Sequence, residues 1–177
     1  MKRPGLNLKT PLLVLGGASS GKSTWAESVI NCLPPPYVYV ATAQAFDHEM
    51  QLRIKLHRER RKSLWQTIES PIDLQTVLRS LNGLGKPVLV DCITLWLSNL
   101  LCSAPTGAEI AVDGLCDEIE VVDYPLVIVS NEVDGGIVPD NALARKFRDL
   151  SGLANQRLAR ICASVFLVTA GLPLRLK

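Results

Sequence analysis

The stretch LVLGGASSGKSTW, Leu13 to Trp25, leaves this chain little choice of fold. An apolar, strand-like run enters a glycine-rich turn, and the turn closes on Lys22-Ser23 at the start of a helix-like segment. The residues Gly16, Gly17, Ala18, Ser19, Ser20, Gly21, Lys22 and Ser23 fit G-x-x-x-x-G-K-[ST]. In that spacing the glycines let backbone N–H groups turn inward around phosphate oxygens. The amino end of the following helix adds positive potential, Lys22 reaches the β- and γ-phosphates, and the Ser23 hydroxyl is a ligand for Mg²⁺. A ligand-free strand-to-helix turn would leave the Lys-Ser pair unexplained.

Further short apolar runs are bounded by turn signals: PLLVL at 11–15, YVYVAT at 37–42, PVLVD at 87–91, PLVIVS at 125–130 and SVFLVTA at 164–170. Each reads as a buried strand. Helical patterns are expected at 22–32, 47–62, 71–82, 93–103, 109–121 and 140–162. The alternation implies an α/β architecture, a mainly parallel sheet with helices on both faces. With the phosphate loop, this is the three-layer P-loop NTPase fold of the RecA-like kind. The 177 residues suit one domain spanning 1–177, and 47% hydrophobic with 20% charged residues leaves no tract too polar to fold.

The net charge of +2 is too small to point to a nucleic-acid partner. Five cysteines, odd in number and without a C-x-x-C pair, give neither a disulfide framework nor a zinc site, which suits a reducing cytoplasm. The apolar run behind MKRPGLNLKT is too short for a signal-peptide core, and no stretch approaches the length of a membrane span.

Asp91 ends PVLVD, the carboxyl edge at which parallel sheets deliver functional side chains. A carboxylate there holds Mg²⁺ directly or through water. The competing role is a helix cap, since DCIT also opens a helix. Residues 47–62, DHEMQLRIKLHRERRK, hold six Lys/Arg from Arg53 to Lys62 and both histidines. Such a run is usually a solvated helix face; its sharper reading is a triphosphate clamp in which His57, beside Arg58 and near Arg61, attacks phosphorus. SNEVDGG, 130–136, superficially resembles the guanine-reading N-K-x-D motif but carries Glu132 in place of its lysine, and otherwise reads as a polar loop.

Several blocks in order resemble the bifunctional adenosylcobinamide kinase/adenosylcobinamide-phosphate guanylyltransferase family of cobalamin biosynthesis. They are LGGASSGKS, YVATAQAFDHEMQLRIKLHRERR from Tyr39, WQTIE, VLVDCITLWLSNLL, VIVSNEVDGGIVP, ARKFRDLSGLANQRLA and GLPLRLK. The resemblance implies two reactions: phosphorylation of adenosylcobinamide by ATP or GTP, then transfer of GMP from GTP through an enzyme histidine to adenosylcobinamide phosphate. Arg53-Ile54-Lys55-Leu56-His57-Arg58 reproduces the family pattern around that histidine, so His57 is the expected nucleophile and Lys22 its catalytic companion. Nucleotide contacts implied by the resemblance are the Gly16–Ser23 loop, Ala41, Thr42, Ala43, Arg58, Glu59, Arg60, Arg61, Glu69 and Asp91, with Ser23 and Asp91 toward the metal. It also implies a homotrimer. The chain departs from the family pattern at Ser19, where arginine is usual, at Lys62 for proline and at Asp134 for glycine.

Overall fold

The computed structural model describes residues 9–44, 63–104, 106–133 and 135–177. The elements run β1 (Leu12–Gly16), α1 (Lys22–Ile30), β2 (Tyr37–Ala41), β3 (Trp65–Glu69), α2 (Leu74–Ser80), β4 (Val88–Asp91), α3 (Ile93–Ser103), α4 (Ala108–Glu120), β5 (Leu126–Asn131), α5 (Ala142–Ile161), β6 (Ser164–Thr169) and β7 (Leu172–Arg175). The seven strands lie in the order β3-β2-β4-β5-β1-β6-β7. All pairs are parallel except β6 with β7.

Alternate residues of the inner strands enter two cores. Leu13, Val38, Val40, Val88, Val90, Leu126 and Ile128 face the layer of α2 to α5. Leu12, Val14, Leu89, Val127, Val129 and Phe166 face α1 through its Trp25, Ala26, Val29 and Ile30. Because both faces are covered, these strands read as unbroken apolar runs instead of alternating ones. From β1 the chain passes along one face to β2; from β5 it returns over the other face to β6. The strand order therefore reverses at β1, and such a point opens a crevice at the carboxyl edge of the sheet.

The five expected strands and the helix at 93–103 are present, with strand ends shifted by a residue. The helix expected at 71–82 is shorter, Leu74–Ser80, since Pro71 to Asp73 form its approach, where the Ile72 carbonyl accepts from Trp96 Nε1 at 2.7 Å. The helix expected at 47–62 lies outside the described residues. Two strands were not legible in the pattern, β3 and β7, and they are the two sheet edges. WQTIE is only partly buried, and LPLR is exposed throughout with Pro173 inside it. An outer strand tolerates a proline because one side of its backbone needs no partner.

Candidate nucleotide site

β1 delivers Gly16 to the carboxyl edge, and α1 starts at Lys22 after Gly21, which holds φ 90°. Only glycine adopts that backbone freely. Inside the loop, Ser20 N donates to the Gly17 carbonyl at 3.3 Å, and Lys22 Nζ donates to the same carbonyl at 3.0 Å. Lys22 is only 8% exposed. Burial lowers its pKa from the ordinary lysine value, partly offset by Cys92 and the Asp91 carboxylate nearby. The ammonium is thus held in a poorly hydrated position at the mouth of a helix, ready for an anion. Ser19 adopts a left-handed backbone, φ 55°, and the Ser20 hydroxyl is buried without a hydrogen-bond partner.

Neighbouring strands brace the loop. Glu132 N donates to the Gly16 carbonyl at 3.0 Å from the β5 side. From the other side, Gly171 N donates to the Ser20 carbonyl at 2.8 Å. Space is tight: a Cβ on Gly16 would meet Ser20 Oγ at 2.5 Å and the Val168 carbonyl at 2.6 Å, and one on Gly21 would meet Gly171 Cα at 3.1 Å. The β6–β7 turn, with Ala170 at φ 51° and Gly171 at φ 77°, is a two-residue turn with both φ positive, the kind that matches hairpin twist.

The remaining edge residues form a row. Ala41 is the register partner of both Glu69 on β3 and Asp91 on β4, which sets the two carboxylates' backbones two strand spacings, about 10 Å, apart. Asp91 does not cap α3: the cap position is Cys92. Instead, Tyr39 Oη donates to Asp91 Oδ2 at 3.1 Å. Thr42 is fully buried; its Oγ1 donates to the Cys92 carbonyl at 2.7 Å and accepts from Cys92 N at 2.9 Å, pinning the Ala41–Ala43 segment against the end of β4. Asn99 Nδ2 completes the clamp by donating to the Thr42 carbonyl at 2.8 Å. The Cys92 thiol, pushed up to about 11 by burial and then by Asp91, stays protonated and structural at neutral pH.

Asn131 turns into the fold. Its Nδ2 donates to Thr94 Oγ1 and, at 3.7 Å, to Cys92 Sγ, so it does not present an amide outward as a base-reading N-K-x-D asparagine must. His57, Arg58, Glu59, Arg60 and Arg61, like Lys62 and Asp134, lie outside the described residues. Ser23 and Asp91 are hard oxygen donors, and among the described residues no cluster of three or more His, Cys, Asp or Glu offers a dedicated metal cage. That set fits Mg²⁺, which keeps its waters and rests on one or two protein oxygens plus substrate phosphates.

Residues 12–176 match the family described as cobinamide kinase / cobinamide phosphate guanyltransferase. The chain belongs to this family. It is 42% identical over 166 residues to the bifunctional adenosylcobalamin biosynthesis protein CobP of Pseudomonas aeruginosa, covering 93% of this chain and 96% of that one. With the CobU protein of the same description from Salmonella typhimurium it shares 38% identity over 183 residues, 94% and 99% of the two chains. Among solved structures, an ATPase of a bacterial type III secretion system aligns with a TM-score of 0.55 over 89% of this chain and 50% of its own, at 14% identity, a likeness of fold alone.

Within this cobinamide kinase / guanyltransferase chain, the closing GLPLRLK block carries a role that sequence reasoning missed, the brace on the phosphate loop. Gly171→Val is expected to lower Tm by about 2–8 °C, the conformational cost of a left-handed β-branched residue in a chain of this size. It should also weaken nucleotide-induced stabilisation. Gly171→Asn, which accepts the left-handed region, is expected to recover most of both in thermal unfolding with and without nucleotide. Equal behaviour of the two variants would refute the backbone argument.

Proposed function

We propose that one triphosphate cradle in this chain serves two transfers, within a single catalytic domain. In the first, the aminopropanol hydroxyl of adenosylcobinamide attacks the γ-phosphorus of ATP or GTP. The hydroxyl proton is lost to solvent, and the nucleoside diphosphate leaves into the loop, with Lys22 and the backbone N–H groups of residues 16–23 taking up its charge. In the second, a ring nitrogen of His57 attacks the α-phosphorus of GTP and pyrophosphate leaves. A phosphate oxygen of adenosylcobinamide phosphate then displaces the histidine, giving adenosylcobinamide-GDP and the free imidazole. An unperturbed histidine is mostly neutral near pH 7, as the attack requires.

Ser23 and Asp91 would hold Mg²⁺, which when bound neutralises phosphate charge. Tyr39 fixes one Asp91 oxygen, orienting the other. Arg58, Glu59, Arg60 and Arg61 flank the nucleophile in sequence, while Ala41 to Ala43 and Glu69 border the nucleoside on the same sheet edge, Glu69 toward ribose or base. The family's trimeric assembly and a cytoplasmic location complete the reading; among the described residues no helix is long and apolar enough to cross a membrane. Light scattering that gives a mass other than three chains would remove the trimer.

The observation that carries this reading is the convergence of a buried lysine, a glycine-lined loop and an oriented carboxylate at one sheet edge in a chain of this family. The test is incubation with adenosylcobinamide, ATP and GTP, with separation of products. The phosphate and the GDP ester are both expected. The phosphate alone would indicate a small-molecule kinase, and neither product, with tight GTP binding, a non-catalytic nucleotide switch.

A further inference from the structure

Beyond the nucleotide cradle, the exposed apolar side chains at the carboxyl edge gather on the segment that leaves β5. Ile137 is 96% exposed and Val138 61% exposed. Opposite them stands the outer half of α5. Asn155 Nδ2 donates to the Asn131 carbonyl at 3.1 Å, so α5 is level with the sheet edge at Asn155. Its preceding residues, from Ala142, project beyond the edge by about 20 Å at 1.5 Å per residue. Between the segment and the helix runs a groove of about 630 Å³, lined by Gly136, Val138, Arg148, Gly152, Leu153 and Gln156 among others. Arg148, Gly152 and Gln156 follow one another at helical spacing along one stripe of α5.

The groove is tied to the phosphate loop through two consecutive residues of one segment. Glu132 N bonds the Gly16 carbonyl, and the Asn131 carbonyl receives Asn155, the neighbour of Gln156. Its inner end therefore lies toward the first residue of the phosphate loop, while Arg148 lies two turns, about 12 Å, further out. The volume lies in the range of ligand pockets. The lining combines aliphatic surface, a carboxamide, a guanidinium, the Asp149 carboxylate and two glycines without Cβ.

We propose that this groove seats the acceptor of both transfers, the methyl- and amide-fringed macrocycle of the corrinoid. Its aminopropanol arm is directed inward past Gln156 toward the phosphate loop. Val138 and Leu153 cover apolar face, the Gln156 carboxamide pairs with a peripheral amide, and Arg148 donates to amide carbonyls at the outer end. This rests on the proposed two-transfer reading, and the experiment separates the two. Guanylylation of the enzyme by GTP needs no acceptor, so it reports the cradle without the groove.

Gln156→Leu, Arg148→Glu and Val138→Asp are each compared with the unaltered protein in four measurements: KM for cobinamide at saturating ATP, KM for ATP at saturating cobinamide, acceptor-free labelling by GTP carrying α-phosphate label, and mass by light scattering. KM for cobinamide is expected to rise about tenfold, the loss of one hydrogen bond or apolar contact, with KM for ATP, labelling and mass unchanged. An unmoved KM in all three variants overturns the proposal. So does a parallel change in ATP affinity, or a change in mass, which would make the groove an interface between copies of the chain. Unaltered protein that neither labels nor phosphorylates overturns the two-transfer reading itself, a result distinct from active protein with indifferent variants.

Discussion

His57→Ala is expected to lose the guanylyl adduct while retaining phosphorylation of the acceptor. The two transfers use different nucleophiles on one triphosphate: the acceptor's own hydroxyl at the γ-phosphorus, and the imidazole at the α-phosphorus. Removing the imidazole removes the only protein group proposed to make a bond to the α-phosphorus. GMP transfer should then fall by about 10⁴-fold or more, the scale seen when a covalent nucleophile is deleted. With GTP labelled at the α-phosphate, unaltered protein is expected to carry an acid-labile, alkali-stable label, and His57→Ala none. His48→Ala, which removes the chain's other histidine, should keep the label. A label that survives in His57→Ala, or a kinase rate that falls in step with guanylylation, would overturn the assignment of two nucleophiles.

The central strands were legible because they are buried on both faces: Leu12 to Leu15, Val38 to Val40 and Leu126 to Val129 each form an unbroken apolar run that no surface element would carry. The edges were not. Trp65 and Ile68 are only partly buried, and Leu172 and Leu174 are exposed, so burial could write no period into such short, polar or proline-bearing strands. The same contrast holds at the site. Gly16 to Ser23 stand contiguous, and their spacing is itself the signal. The groups that hold them, Gly171 and Glu132, come from segments more than a hundred residues away and touch the loop through backbone atoms alone. Asp91 was legible as an edge carboxylate, but its relation to Tyr39 follows from strand register, with Ala41 beside Asp91 and Tyr39 two residues back on the same face.

Lys22→Met is expected to remove both transfers and to leave the fold no less stable. The side chain is buried, and burial depresses its pKa, so in the empty protein the charge stays in place at a cost in stability. That cost is present at neutral pH and is relieved only as pH rises from the depressed folded value toward the ordinary 10.5, the interval in which the unfolded chain binds more protons. Methionine fills similar volume without the charge and gives up one hydrogen bond, to the Gly17 carbonyl, worth about 1 kcal/mol. The two effects nearly offset, so Tm without nucleotide should hold or rise. With nucleotide the balance inverts: the ammonium meets phosphate charge in a water-poor loop, where one such donor accounts for about 10²–10³ in rate. Both kinase and guanylyl transfer should fall by at least that factor, and the nucleotide-induced rise in Tm should shrink. The contrast with His57→Ala is what makes the shared cradle testable, since one variant separates the reactions and the other removes them together. Loss of only one reaction in Lys22→Met would mean that the two triphosphates are held in different places.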